Sequence, residues 1–378
     1  MANNNKHTGP NVPALRFPEF TKEWEMASLQ DIAAVNPKSN PLQNSFVYID
    51  LEAVEKGELR KIQEVMREEA PSRAQRVIYK NDILFQCVRP YQKNNYIHKI
   101  QSKSNQQWVA STGYAQIRTT EIPNYIYHLL NTDGFNRKVM VRCTGSSYPA
   151  INSEDLATIR FYLTTDTKEQ LKISRLLDLL DERIATQNKI IEELKTLRSA
   201  LRHKLLHEML IERTAKLGTL CRIATGKLDA NAMVEGGNYP FFTCAEQVYE
   251  IDRYAFDTEA LLISGNGANL GYIHYYYGKF NAYQRTYVLS DFSEDIQYLR
   301  QYLEANLSKR IESEKNTGNT PYIVLGTLAD MEIELPSKPV QKTIANELGM
   351  LSLKLEYETH YLSLLMKEKV ALLNRMFI

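Results

Sequence analysis

The stretch TKEQLKISRLLDLLDERIATQNKIIEELKTLRSALRHKLLHEML, residues 167–210, contains neither Gly nor Pro. Steps of three and four through it, at 173, 177, 180, 184, 187, 191, 194, 198, 201 and 205, read Ile, Leu, Leu, Ile, Gln, Ile, Leu, Arg, Leu, Leu. Eight apolar residues in ten at that spacing lay one apolar seam along a single long helix. Thr167 followed by Gln170 reads as a capping box at its start. A second seam at 344, 348, 351, 355, 358, 362, 365, 369, 372 and 376 reads Ile, Leu, Leu, Leu, Glu, Leu, Leu, Lys, Leu, Met, with polar breaks at the same two steps. Two matched seams predict a coiled-coil pair. The plainer arrangement is two amphipathic helices lying on separate domains.

The seams belong to a larger duplication. Ala27-Ser28-Leu29-Gln30-Asp31-Ile32-Ala33 matches Gly218-Thr219-Leu220-Cys221-Arg222-Ile223-Ala224 at an offset of 191. Ile126, Leu130, Thr144 and Gly145 match Leu299, Leu303, Thr317 and Gly318 at 173, and Leu156 and Leu163 match Leu328 and Leu335 at 172. Preserved order with a slowly drifting offset is what loop insertions produce in two copies of one unit. The copies cover roughly 14–212 and 213–378.

Each copy opens with a mixed region. Strand-like runs fall at Val77-Ile78-Tyr79 and Ile83-Leu84-Phe85, and at Leu261-Leu262-Ile263 and Tyr272-Ile273-His274-Tyr275. Short helices are expected at Asn124–Asn131 and Ile296–Leu307, and short strands at Ile159–Leu163 and Met331–Leu335. The expected class is α+β: two pseudo-repeated mixed globular domains joined by two long antiparallel coiled-coil helices. The boundaries are a disordered tail at 1–13, globular domains at 14–165 and 213–337, and long helices at 166–212 and 338–378.

Composition excludes several classes. The 378 residues carry 46 Lys+Arg against 45 Asp+Glu, so no uniformly basic coat for nucleic acid exists. No run of 18 apolar residues spans a membrane, and the polar start has no apolar core of a signal peptide. Cys87, Cys143, Cys221 and Cys244 lie far apart, which fits reduced thiols in a cytoplasmic protein. Residues 16–165 hold 19 basic and 16 acidic residues, whereas 213–337 hold 11 and 16.

Nucleic-acid contact is therefore sought locally. Tyr272–Tyr287 contains no acid, and within it Lys279, Asn281, Tyr283, Gln284 and Arg285 are contact candidates. Asn and Gln can pair with adenine, Arg and Lys with guanine or phosphate, and aromatic rings stack on bases. The competing reading is a strand pair with a buried aromatic face. In the first copy Arg89, Lys93, Asn94 and Asn95 form an acid-free stretch with Arg118 further on, and Ser146 and Ser147 lie in the Thr144–Pro149 loop that matches Thr317–Pro321. A solvated loop explains that stretch equally well.

A search for catalysis finds little. Asn36-Pro37 is followed by Lys38, so the motif that holds a flipped base in a DNA methyltransferase is absent, and no Walker lysine motif is present. Gly265-Asn266-Gly267-Ala268-Asn269-Leu270-Gly271 leads into a strand and reads as a turn, without the helix N-terminus that cradles phosphate. His203 and His207 lack a third ligand nearby in sequence. No catalytic or metal residue is assigned.

If polar breaks must face one another in an antiparallel pair, Arg198 meets Glu358 and Gln187 meets Lys369. The same register sets Ile191 by Leu365, Leu194 by Leu362, Leu201 by Leu355 and Ile184 by Leu372, with Leu180 and Leu351 also in the seam. A helix of about 34 residues spans ~50 Å. Two readers on such a helix could address DNA half-sites about one turn, ~34–36 Å, apart.

Leu15-Arg16-Phe17-Pro18-Glu19-Phe20 with Trp24-Glu25, Leu177-Leu180-Asp181-Glu182-Arg183-Ile184 running into Asn188–Lys195, Lys216–Leu220, and the Gly318 loop leading to Leu335-Pro336 together resemble the specificity subunits of type I restriction-modification systems. The resemblance covers essentially the whole chain and its two-copy plan. It implies two target-recognition domains, each reading half of a bipartite duplex DNA sequence, and helices that set the spacer. It implies two methyltransferase subunits that use S-adenosylmethionine and motor-nuclease restriction subunits that need ATP and Mg²⁺. This chain itself would be non-catalytic and hold no cofactor. The alternatives are a coiled-coil scaffold that binds only protein and an orphan regulatory specificity protein. The acidic second copy departs from the expected pattern.

Overall fold

The computed structural model describes residues 11–100, 106–314 and 322–378. It divides into two compact units: one holds the chain up to Asn188 together with Tyr361–Ile378, the other Lys189–His360. Residues 1–10 of the expected tail and the Thr317–Pro321 loop lie outside the described residues.

Unit one begins with β1 (Glu25–Ser28), α1 (Leu29–Ile32), β2 (Ala33–Val35), β3 (Ser45–Ile49), β4 (Val54–Glu55), β5 (Glu58–Leu59) and β6 (Gln63–Met66). It continues through β7 (Ala74–Ile78), β8 (Ile83–Gln86), β9 (Tyr96–Ile97), β10 (Gln107–Ser111) and β11 (Tyr114–Thr119). Then come α2 (Pro123–Leu130), α3 (Asp133–Arg142), α4 (Ser153–Ala157), β12 (Arg160–Leu163) and the start of α5 (Thr167–Glu208). The core sheet runs β2-β11-β8-β9, a second sheet runs β6-β3-β10-β7, and β1 pairs with β12.

Unit two repeats the frame. After α5 come β13 (Arg213–Lys216), α6 (Leu217–Leu220), β14 (Arg222–Thr225), β15 (Tyr239–Phe242), β16 (Tyr249–Ile251), β17 (Phe256–Ser264), β18 (Ile273–Ala282) and β19 (Thr286–Ser290). The chain ends with α7 (Ile296–Ser313), α8 (Leu325–Ala329), β20 (Glu332–Leu335) and α9 (Lys338–Met376). β13 pairs with β20 as β1 does with β12, and β14-β19-β17 repeats β2-β11-β8. What differs is the addition. Unit one adds the separate β6-β3-β10-β7 sheet, whereas unit two extends the core sheet through β18, β15 and β16. At Gly278, opposite Thr258 in the unbroken β17–β18 ladder, φ is +129°, a conformation that side chains resist.

The strands follow the expected positions. α7 runs six residues past the expected Leu307, because Leu299, Leu303, Leu307 and Ile311 are all buried and extend the repeat. α3 was not expected from the sequence; it buries only Phe135 and Val139, too few for a visible stripe, and is started by Thr132 accepting the Phe135 amide.

Both units are clamped by a buried glutamine. Gln170 accepts the Ile122 amide at 3.1 Å and donates to the Thr164 carbonyl at 2.8 Å. Gln341 accepts the Asp295 amide at 3.2 Å and donates to the Pro336 carbonyl at 3.0 Å. Gln170 therefore does not close a capping box with Thr167. Asp166 caps α5 instead, its carboxylate accepting the Lys168 amide at 2.9 Å. Next to Gln170, the guanidinium of Arg16 grips Glu169 with two bonds of 2.7 and 2.9 Å, both side chains almost wholly buried. Trp24 stacks edge-on against Tyr125 and Phe377. The Leu15–Trp24 segment thus roots unit one.

All twenty seam positions are buried or half-buried. In unit one Leu373, Met376 and Phe377 share a core with Ile173 and Leu177. In unit two Ile344, Ala345 and Leu348 share one with Leu206, packed by Leu201 and Leu205. Late residues of each helix thus meet early residues of the other, so the helices run antiparallel. Two of the breaks, Arg198 and Lys369, meet partners other than those that break-matching selects. Arg198 donates to the Ser352 hydroxyl at 3.3 Å, and Lys369 pairs with Asp181 at 2.5 Å. Glu358 pairs with Lys354 at 2.5 Å, one turn away on its own helix. Arg198 has a further partner off the seam, Glu304 of α7 at 3.8 Å.

Candidate nucleic-acid interface

In unit one the site candidates gather where β8 ends. Ile151 donates its amide to the Cys87 carbonyl at 3.0 Å, and Arg89 donates its own to Pro149 at 2.8 Å. These bonds tie the segment after β8 to the Thr144–Ala150 loop. Arg89 has φ of +54°, a left-handed conformation costly for a residue with a Cβ. Its guanidinium lies 4.3 Å from the Tyr148 ring centre, and its Nε is buried with no acceptor. Ser146, Ser147 and Tyr148 stand exposed beside it. Burial pushes the Cys87 thiol up to about 11, so it remains a thiol at neutral pH.

The other candidates of unit one are differently placed. Asn95 is buried: its Oδ1 accepts the Gln86 amide at 2.8 Å and its Nδ2 donates to Asn131 at 3.0 Å. Asn94 accepts the Lys56 amide at 3.0 Å. Asn95 thus has no free edge to offer a base, and the Asn94 oxygen is taken up in shaping the loop. Lys93 pairs with Asp133 at 2.6 Å, and that bond with the one from Asn374 holds the Asp133 carboxyl below its usual range. Arg118 sits at the other end of β8, where its fork grips the buried Asp82 at 2.8 and 2.7 Å. The structure therefore brings Arg89, Ser146 and Ser147 together and leaves Arg118 apart.

In unit two the same corner is built. Ile323 donates its amide to the Gly265 carbonyl at 2.9 Å, the counterpart of the Ile151–Cys87 bond. Gly265 in turn donates to the Arg285 carbonyl at 2.8 Å; a Cβ on Gly265 would stand 2.4 Å from that oxygen, so only glycine permits the approach. The turn Tyr283–Thr286 closes with a 2.8 Å bond and presents Gln284 and Arg285 outward. With Gly265, Tyr287 and Ile323 they line an open cleft of about 280 Å³. Arg285 forms no ion pair among the described residues, whereas Gln284 donates to Asp229 at 2.8 Å. The glycine loop Gly265–Gly271, read from the sequence only as a turn, leads into β18 and forms one wall of this corner. Asn269 ties it to the Cys244 carbonyl at 3.3 Å, and His274 lies 2.9 Å from the Ala245 carbonyl, burial keeping its ring neutral.

Asn281 is buried and spent on the Arg253 carbonyl at 2.9 Å and the Ala282 amide at 2.9 Å. Tyr283 is half-buried. Lys279 is exposed but lies along β18 over the Tyr254 ring at 4.8 Å, opposite Asp257. His203 and His207 stack at 4.2 Å, and among the described residues no group of three His, Cys, Asp or Glu is placed to hold a metal. No helix among the described residues is long and apolar enough to cross a membrane.

The model of the type I restriction modification DNA specificity domain matches twice, at residues 21–196 and 213–365. The chain belongs to this family. The two matches coincide with the duplicated frame, one corner in each. The chain is 44% identical over 144 residues to the type I restriction enzyme EcoDI specificity subunit of Escherichia coli, a stretch that spans 38% of this chain and 32% of that protein. The fold resembles the crystal structure of the type I restriction-modification S subunit from M. genitalium, with a TM-score of 0.67 at 16% identity over 97% of this chain and 99% of that one. It also resembles a chain solved for complex assembly and conformational transition of the type I R-M system, with a TM-score of 0.56 at 21% identity over 93% and 97%. As a specificity-domain protein, the chain repeats one scaffold twice.

Proposed function

We propose that this chain is the DNA specificity subunit of a type I restriction-modification complex and is itself non-catalytic. Each unit reads one half of a bipartite duplex target. The observation that carries this is the duplicated corner: one hydrogen bond, Ile151 to Cys87 and Ile323 to Gly265, fixes equivalent segments in both units, and beside it each unit presents an arginine that forms no ion pair among the described residues, Arg89 on that segment in unit one and Arg285 on the Tyr283–Thr286 turn in unit two. Arginine is the side chain best suited to guanine edges and phosphates.

The long helices set the spacer between half-sites and dock two methyltransferase subunits, which bring S-adenosylmethionine. Restriction subunits that need ATP and Mg²⁺ complete the complex in the cytoplasm. The test is to co-express the chain with its methyltransferase partner and map the methylated adenines. A bipartite motif is expected. Replacing residues 213–337 by the equivalent domain of a relative should change one half of that motif; changes in both halves would overturn the assignment of one half-site to each unit.

A further inference from the structure

Three arginines have a buried Nε that meets no acceptor: Arg76, Arg89 and Arg310. Arg310 is nevertheless paired through its other nitrogens, with Glu314 at 2.7 Å. Arg76 and Arg89 form no ion pair with any described carboxylate. Some other cations of unit one are engaged with carboxylates: Arg16 with Glu169, Arg60 with Glu58, Lys93 with Asp133 and Arg118 with Asp82. A desolvated guanidinium with an orphan donor costs stability unless something supplies an acceptor.

Arg76 stands on β7, the outer strand of the sheet that unit two lacks, opposite the fully buried Ala110. One connection ties this strand to the Arg89 corner. In the turn between β10 and β11, Thr112 donates to the Arg73 carbonyl at 2.9 Å, and the Gly113 carbonyl accepts from Cys87 at 3.0 Å. Arg76 lies three residues beyond Arg73, and Arg89 two beyond Cys87. The charge of Arg76 is also felt at the Cys87 thiol, where it opposes the upward push of burial. Arg76 is half-buried, so part of the residue is open to solvent.

We infer that Arg76 is a second DNA-contacting arginine of unit one, delivered by the added sheet and taking a backbone phosphate of the duplex whose bases face Arg89, Ser146 and Ser147. This rests on the DNA-reading role proposed above. It gives the added sheet a purpose: it brings a cation to the corner of the unit whose own loop holds one. A duplex phosphate offers two non-bridging oxygens that the planar guanidinium, lacking a carboxylate, can take as a bidentate pair.

The experiment measures binding of a fluorescent 30-base-pair random-sequence duplex to the full chain across a salt series. Arg76→Leu should weaken binding roughly tenfold and lower the salt slope by about one, as loss of one phosphate contact does. Its melting temperature should stay level or rise, since an unpaired cation leaves a half-buried site. Arg76→Lys should keep most of the slope. Arg60→Ala, in the same unit but ion-paired, should change neither quantity. Normal affinity and slope in Arg76→Leu would overturn the inference and leave the DNA reading standing. So would lost binding accompanied by a lowered melting temperature in both Arg76 variants, the mark of a structural role. No duplex binding by the unaltered chain would overturn the DNA reading itself, and the inference with it.

Discussion

Arg198 of α5 meets the hydroxyl of Ser352 of α9 at 3.3 Å, six residues from the glutamate that seam-matching alone selects. Asp181 meets Lys369 in the other unit, and each pair of residue numbers adds to 550. Both contacts join antiparallel stretches of the two helices, each within its own unit. Cysteines at 198 and 352 should crosslink with a short bifunctional maleimide, and cysteines at 198 and 358 should not, read by mass spectrometry of the digested product. Crosslinking of the second pair alone would show the register to be wrong.

The Arg16–Glu169 pair should be costly to break and cheap to replace. Glu169→Gln strands a buried guanidinium and should destabilise by about 3–5 kcal/mol in denaturant titration. Arg16→Met with Glu169→Met removes both charges and should recover most of that loss. Equal losses in the single and double variants would mean that the pair's net attraction outweighs its desolvation.

Acid should unfold the chain partly through His98. Its ring lies buried, 4.9 Å from Trp108, and burial lowers its pKa from 6.5 to about 4 despite the nearby Asp82. As pH falls, the unfolded chain takes the proton first. The stability this group contributes is full above 6.5 and drains away between 6.5 and about 4, by an amount on the order of 3 kcal/mol. His98→Gln should flatten the stability profile over that window; an unchanged profile would assign the acid sensitivity to other groups, such as Asp178, whose carboxyl is held low by His128 and Asn124.

In unit two, Arg285 and Asn281 should fail in different ways. Arg285→Ala removes an exposed cation and should weaken specific duplex binding by about 1–3 kcal/mol without loss of stability. Asn281→Ala leaves the buried Arg253 carbonyl and Ala282 amide without partners and should lower stability by about 1–3 kcal/mol. If the Arg285 variant melts early and binds normally, the Tyr283–Thr286 turn is scaffold.

Helix length should set the spacer of the methylated motif. Four residues inserted after Thr196 lengthen α5 by ~6 Å. A matching insertion near Lys354 keeps the antiparallel seam. The motif should then change its spacer and keep both half-sites; an unchanged spacer with full methylation would refute the ruler.

The duplication, the two helices and most strands could be read from the chain alone, because apolar periodicity and repeated spacing are local properties. The seam of α5 is visible in Ile173, Leu177 and Leu180 without knowledge of their partners. What the tertiary structure decided were roles set by residues far away in sequence. Asn94 and Asn95 look like base-readers among polar neighbours, yet the Lys56 amide takes the Asn94 oxygen, and Gln86 and Asn131 take both ends of the Asn95 amide. Gln170 looks like a helix cap, yet it bonds to Ile122 and Thr164. Arg198 looks bound to face a glutamate of the other helix, yet Glu304 of α7 lies 3.8 Å from it, an outlet that a two-helix argument does not contain. Whether a polar side chain binds a ligand or holds the fold depends on which donors and acceptors surround it, and that is settled only when distant segments pack.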